Sequence, residues 1–388
     1  MTDDALSWLP GALQALEDAD QRRELRHLLS GPDPWIDVTT EHGPRRLLHL
    51  CSNNYLGLAT HPDVVAAAAS ALHRYGTGTG ASRLITGGQQ LHAELEAELA
   101  AWKRSEAAVV FSSGYLANLG VVTALAGRGD TVVSDELNHA SIIDACRLSG
   151  ATVRVYRHGD VEQADKLLAD AEGRRVLVTD GVFSMDGDIA PLPALCDAAE
   201  RHGAAVVVDD AHGTGVVGPD GRGTVAATGC DGRVHATVGT LSKALGSAGG
   251  FVACGRGLAE WLRNRARPFV FDTAPPAAAL GAARCAIALA REEPRRARVR
   301  ELARRLGEGL RGQGWDVGSC EAAIVPVIVG SNRDALAVMD ALLEHDVLAV
   351  AIRPPSVPEG AARVRATVMA THRDEDIDHA LAAFGAVG

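Results

Sequence analysis

The chain has 388 residues, 47% of them hydrophobic and 4% aromatic, and a formal net charge of −11. That length allows two domains, or one large domain with a smaller appendage, around an Ala/Val/Leu/Gly core. The acidic balance argues against a nucleic-acid partner, which needs an extended basic surface.

No apolar run reads as a membrane span, since the longest alanine-rich stretch (274–290) carries Arg284 and two prolines. Seven cysteines, widely spaced, odd in number and never CxxC, fit a reducing compartment and neither a disulfide framework nor a zinc site. The acidic start MTDDALSW has the pattern of neither a signal nor a transit peptide, so the expected location is the cytoplasm.

In chain order, residues 5–29 read as helix, with Pro10 starting or interrupting it, up to a break at Gly31-Pro32-Asp33-Pro34. From about 50 to 255, short apolar strands alternate with amphipathic runs such as LHAELEAELAAW. The strands are AAVVF (107–111), DTVVSD (130–135), TVRVY (152–156), RVLVTD (175–180), AAVVVDD (204–210) and HATVGT (235–240). This rhythm predicts a mainly parallel sheet with helices on both faces. From about 275 the pattern changes to a long Arg/Glu/Ala helix (279–312), then IVPVIVG, another helix, VLAVAIRPP and ARVRATV, a smaller α+β unit. The expected organisation is an N-terminal helical arm (1–45), a large α/β domain (46–272) and a small C-terminal α+β domain (273–388).

In parallel sheets the chemistry gathers outside the carboxyl ends of the strands, and those ends are informative here. AAVVF runs into SSGYLANLG, a glycine turn opening a helix whose free N–H groups can hold a phosphate. DTVVSD leads to His139, RVLVTD to Ser184, and AAVVVD to Asp209, Asp210 and His212. A carboxylate emerging from so apolar a strand needs a partner. Taken singly, each has a plain structural reading: strand–Gly–helix turns are common, and a lone His at a strand end is usually a hydrogen bonder.

Of 38 cationic Lys and Arg residues only three are lysine. Lys103 (AAWKRSEA) and Lys166 (EQADKLLAD) lie in polar, helix-like stretches and read as solvated charges. Lys243 lies in VHATVGTLSKALGSAGG, with no other charge from 236 to 255. Such a lysine either snorkels at a loop edge or serves as a desolvated amine able to form a Schiff base, which guanidinium cannot do. The GTGTG at 76–80 imitates a dinucleotide fingerprint, but a helical run precedes it where that motif needs a strand. Lys243 also lacks the GxxxxGK order of a P-loop. Arg353, before two prolines, reads as a surface residue. Arg363 and Arg365 alternate in a strand-like run, so they share a face and either can pair with an acid.

Together, a phosphate turn, a buried acid, two histidines and an isolated lysine meet the needs of pyridoxal 5′-phosphate (PLP): an amine, an acid for the ring nitrogen, phosphate donors and a group packed on the ring. The residues also carry a resemblance. DDAHGTG (209–215), TLSKALGSAGG (240–250), SNNYLGL (52–58), GTGASRLITG (78–87), SSGYLAN (112–118), NHAS (138–141) and VFSMDGD (182–188) resemble the α-oxoamine synthases, a family of fold-type I PLP-dependent transferases. The similarity runs from about 45 to the C-terminus, plus the N-terminal arm. AIRPPSVPEGAARVR (351–365) is most similar to the biotin-pathway branch.

The resemblance implies that Lys243 forms the Schiff base and moves protons at the substrate Cα. It further implies that Asp209 pairs with the ring nitrogen, His212 meets the phenolic oxygen, His139 stacks on the ring and Ser184 lies against it. Gly114, Tyr115 and Thr240 would hold the phosphate, with Ser242 a weaker candidate, and Thr273 would reach the phosphate of a neighbouring subunit in a homodimer. Arg365 would bind the amino-acid carboxylate, with Arg353 close by and Asn53 lining the pocket; Arg23 and Ser356 would contact the acyl group. The implied substrates are L-alanine and a pimeloyl thioester. A glycine C-acetyltransferase and a non-catalytic PLP or acyl-thioester binder are the alternatives. Three positions depart from the family pattern: Ser356 for threonine, Asp180 for glutamate, and Asp272 for the serine before Thr273.

Overall fold

The computed structural model describes residues 4–23, 25–40 and 43–388. The helix expected over 5–29 is confined to Leu9–Asp18, with a proline in its first turn, where the missing N–H costs nothing. Asp20 then turns left-handed (φ +53), and the carbonyls of Asp20 and Arg22 accept from the Arg353 guanidinium. Backbone acceptors that a longer helix would use are committed to a distant cation. An antiparallel hairpin follows, β1 (Trp35–Thr40) and β2 (Gly43–His49), outside the strands expected from the sequence.

The centre of the protein is a seven-stranded sheet: β3 (Ala107–Phe111), β4 (Thr131–Asp135), β5 (Thr152–Tyr156), β6 (Arg175–Asp180), β7 (Ala205–Asp209), β8 (Ala236–Thr240) and β9 (Gly250–Cys254). Their order across the sheet is β3-β9-β8-β7-β6-β4-β5. Strands β4 to β8 are parallel, and β9 lies antiparallel to both β3 and β8. Most of these strands are buried on both faces, as their unbroken Val/Ala runs require. All six predicted strands are present to within a residue. Strand β9 escaped notice because it returns from β8 through a glycine-rich loop with no helix to mark the crossover.

The expected helix over 279–312 is two helices, Ala277–Ala290 and Glu293–Gly312. The second has Pro294 in its first turn, where a residue without an N–H cannot continue the preceding helix. A smaller antiparallel sheet contains β10 (Asp316–Val317), β11 (Ile324–Gly330), β13 (Val350–Ile352) and β14 (Ala362–Thr367), in the order β10-β11-β14-β13. Between them in sequence, β12 (Val347–Leu348) pairs parallel with β2. Segment 50–55 then runs alongside β14: Thr367 donates to the carbonyls of Leu50 and Ser52, and Ala370 N–H to Tyr55. Those bonds carry the SNNY segment to the edge of the central sheet. Among the described residues no helix is long and apolar enough to cross a membrane.

Lys103 is not solvated. It is buried at the end of the helix Gln90–Lys103, and its ammonium donates to Asp210 Oδ2 at 3.0 Å, Thr214 Oγ1 at 2.6 Å and the Arg222 carbonyl at 2.6 Å. Asp210 also accepts from the N–H and hydroxyl of Thr224. Gly223 (φ +97) is obligatory beside it, because a Cβ there would fall inside the Asp210 carboxylate. A buried carboxylate stripped of its cation costs about 3 kcal/mol or more. Lys103→Met should therefore lose about that much unfolding free energy in urea titrations. The same change at exposed Lys166 should alter it by less than about 0.5 kcal/mol.

Candidate active site

The parallel strands deliver their ends to one edge. Asp180 closes β6 and Asp209 closes β7, directly paired in register, and both are buried. Asp209 Oδ2 accepts from Asn118 Nδ2 at 2.5 Å and Oδ1 from the Ala211 N–H at 3.0 Å. Asp180 Oδ2 accepts the His139 N–H at 3.0 Å. Burial, with the Asp209 charge adding to it, pushes the Asp180 carboxyl well above the ordinary range.

His139 begins the helix Ala140–Ser149, its Nδ1 accepting the Ser141 N–H at 3.2 Å. Burial lowers its pKa, so the ring is neutral and its faces are free of charge-driven hydration. Asn118 also donates to Ser141 Oγ, which ties the acid of β7 to the His139 helix. Asn118 was legible only by spacing: it stands four residues after Gly114, on the same face of the helix Gly114–Leu125.

Ser113 caps that helix by accepting the Leu116 N–H, and Ala117 bonds back to the Ser113 carbonyl. The N–H groups of Gly114 and Tyr115 are the orphan donors of the first turn. Gly114 packs against Thr240, whose Cβ would be 3.4 Å from any Cβ added at 114, and a Cβ on Gly250 would meet Gly114 N at 2.5 Å. Gly250 must therefore stay glycine for β9 to approach the turn, whereas Gly114 lies at ordinary contact distance from Thr240. Thr240 Oγ1 donates to the Gly249 carbonyl at 3.0 Å and lies 2.7 Å from Ser242 Oγ, placing two hydroxyls beside the orphan N–H groups. Ser112, just before the cap, bonds to Asp272; the unusual aspartate is thereby tied to the same turn. Thr273 bridges to Ser82.

Lys243 Nζ lies 2.9 Å from His212 Nε2. Its pKa is lowered to about 8, chiefly by desolvation, with the Arg365 charge assisting and Asp209 and Asp180 opposing. Burial, then the charges of Lys243 and Arg365, hold His212 well below its ordinary value, so the imidazole is neutral. Across the ring, Nδ1 lies 2.6 Å from the Tyr55 hydroxyl. Arg365 Nη2 donates to Asn53 Oδ1 at 3.1 Å and meets the Tyr55 oxygen at 3.4 Å. Its neighbour on the strand, Arg363, instead pairs with Asp186 and the Met185 carbonyl, in the turn that holds buried Ser184. The two arginines that alternate on β14 therefore divide their work, one toward the cleft and one toward the Ser184 turn.

Arg23, Arg353 and Ser356 meet in a separate cavity of about 700 Å³, lined also by Arg22, Arg26 and Cys51. It separates the N-terminal arm from the small sheet, and the interaction of Arg353 with the Asp20 and Arg22 carbonyls closes one side. Among the described residues no group of three or more His, Cys, Asp or Glu side chains is disposed to hold a metal ion.

Comparison with known proteins agrees with this geometry. Residues 45–384 match the model of the class I and II aminotransferase family. The chain is 48% identical over 380 residues to 8-amino-7-oxononanoate synthase of Symbiobacterium thermophilum, covering 97% of this chain and 96% of that one. It is 48% identical over 389 residues to the enzyme of the same name from Anaeromyxobacter dehalogenans, covering 100% and 97%. Among solved structures it is similar to serine palmitoyltransferase from S. paucimobilis with a bound PLP–myriocin aldimine (TM-score 0.93, 34% identity, 100% of this chain and 98% of that one). It is also similar to 8-amino-7-oxononanoate synthase from Francisella tularensis (TM-score 0.75, 26% identity, 88% and 97%).

The lowered pKa of Lys243 has a consequence for stability. Below about pH 8 the amine is protonated whether the chain is folded or not; between about 8 and the ordinary 10.5 only the unfolded chain holds the proton. Stability rises with pH where the unfolded state binds more protons. Lys243 should therefore weaken the cofactor-free protein below pH 8 and cease to do so as pH climbs through that window. Urea midpoints across the window should show Lys243→Met more stable than the unaltered protein at the acid end, with the difference shrinking toward the alkaline end.

Proposed function

The chain belongs to the class I and II aminotransferase family, and on that premise we propose a PLP-dependent acyltransferase that joins L-alanine to a pimeloyl thioester. Carbon dioxide and the thiol leave, and the product is 8-amino-7-oxononanoate for biotin synthesis in the cytoplasm. The observation that carries this reading is the setting of Lys243: an amine with a pKa near 8, between a carboxylate-binding arginine and a pair of buried acids.

The residues fit PLP. The turn at Gly114 presents the N–H groups of Gly114 and Tyr115 beside the hydroxyl of Thr240, and a Cβ on the adjoining Gly250 would collide with its backbone. Asp209 has only neutral donors on its oxygens, so a protonated ring nitrogen would supply the cation that a buried carboxylate calls for. When bound, PLP supplies a carbonyl for the amine and a ring that accepts an electron pair from the amino-acid Cα.

Lys243 would hold the cofactor through its amine and, when free, would remove and return the proton at the amino-acid Cα. A pKa of about 8 leaves a useful neutral fraction near physiological pH. Arg365, held in place by Asn53 and Tyr55, binds the amino-acid carboxylate and orients the Cα–H bond toward Lys243. Burial around His139 and His212 would keep water from the amino-acid Cα. Arg23, Arg353 and Ser356 line the cavity for the acyl chain, the arginines answering its distal carboxylate. A homodimer is part of the proposal. Ile85 and Phe271 are 75% and 71% exposed on segments joined by the Ser82–Thr273 bridge, an apolar surface suited to burial against a second copy.

The test is turnover: L-alanine with pimeloyl-CoA should yield 8-amino-7-oxononanoate and carbon dioxide, whereas faster turnover of glycine with acetyl-CoA would assign the chain to glycine C-acetyltransferase. Arg23→Ala should raise KM for the pimeloyl thioester about tenfold while leaving KM for alanine within about twofold. Asp209→Ala should fold normally yet slow exchange of the alanine Cα proton with deuterated solvent by about a hundredfold or more; unchanged exchange would refute its role.

A further inference from the structure

Tyr55 is fully buried and stands among groups the proposed reaction uses. Its hydroxyl is 2.6 Å from His212 Nδ1, 3.1 Å from Asn53 Oδ1 and 3.4 Å from Arg365 Nη2. Beyond the imidazole, Nε2 faces Lys243 Nζ at 2.9 Å. A phenol has one proton to give and two lone pairs to receive, and a neutral imidazole has one proton to place on either nitrogen.

With Lys243 donating to Nε2, the ring proton must sit on Nδ1 and point at the Tyr55 oxygen. The Tyr55 proton then goes to Asn53 Oδ1. The pattern also works in reverse: Nε2 carries the proton and donates outward, Nδ1 accepts from Tyr55, and Asn53 Oδ1 keeps its bond from Arg365. In both patterns the ring and the phenol hold one proton each, Arg365 can still meet the Tyr55 oxygen, and no buried ring nitrogen is left unpaired. Only Lys243 Nζ has to withdraw from Nε2, making way for the acceptor of that proton.

We propose that Tyr55 is a positioning residue: by accepting from or donating to His212 Nδ1, it lets one neutral imidazole act as acceptor toward Lys243 and as donor toward the phenolic oxygen of PLP. The same hydroxyl braces Arg365 for the amino-acid carboxylate. The inference rests on the PLP reading above and adds to it the residue that sets the histidine tautomer. A phenylalanine would fill the same space and do none of this.

The tautomer is directly readable. Nitrogen-15 spectra of histidine-labelled protein, with the His212 signals identified by their loss in His212→Asn, should show Nδ1 protonated without cofactor and Nε2 protonated with PLP bound. In Tyr55→Phe, PLP should bind about tenfold more weakly by fluorescence titration, the size expected when a buried ring nitrogen loses its partner. The same tautomer in both states, or PLP affinity in Tyr55→Phe within about twofold of the unaltered protein, would overturn the inference while leaving the cofactor in place. A protein that takes up no PLP at all would overturn the cofactor reading itself, and an Nε2-protonated ring in that cofactor-free protein would still contradict the role given to Tyr55.

Discussion

Two carboxylates end adjacent parallel strands in register, Asp180 beside Asp209, both buried, and the site is organised around that confinement. Like charges so close and so dry cannot both stay ionised without help. Asp180 responds by holding its proton more tightly and by accepting the His139 N–H. Asp209 is steadied by an amide and a backbone N–H, which orient it without neutralising it. Lys243 feels both acids, yet desolvation and Arg365 outweigh them and its pKa falls. One edge of the sheet thus holds a carboxylate kept available for a cation and an amine kept available for a carbonyl.

The next residue in the chain has the opposite task. Asp210 points away from the cleft to Lys103, Thr214 and Thr224, and that buried cluster fixes the loop from which His212 projects. The crowding is such that Gly223 admits no side chain beside the carboxylate. Removing either charge would leave the other buried and alone, so the cluster secures the geometry of the cleft without taking part in its chemistry.

The parts of this arrangement that follow from local pattern were legible in the sequence. The strand ends bearing His139, Ser184, Asp209 and Thr240 could be read because a buried parallel strand is a short apolar run and its end is a fixed place. The isolation of Lys243 in an apolar stretch matches its desolvation in the structure. Long-range partners were not legible. Lys103 sits in a stretch as polar as that of Lys166, and only the return of Asp210 and the Arg222 carbonyl from a hundred residues away buries it. Likewise Arg363 and Arg365 are equivalent by alternation. Which one faces the cleft is decided by where the 50–55 segment and the Ser184 turn lie against β14. Strand β9 and the β1–β2 hairpin lack the helical crossovers that mark the other strands, and the arm helix ends at Asp18, before Asp20 turns left-handed and Arg353 bonds the Asp20 and Arg22 carbonyls.

In the proposed reaction Lys243, alone among the three lysines, is the amine that meets the cofactor. Incubation of the protein with PLP, reduction with borohydride and peptide mapping by mass spectrometry tests it most directly, because reduction fixes the Schiff base where it forms. One pyridoxyl group per chain is expected, on Lys243, with the buried Lys103 and the exposed Lys166 unmodified. A stoichiometric label on either of those lysines, or none on Lys243, would contradict it.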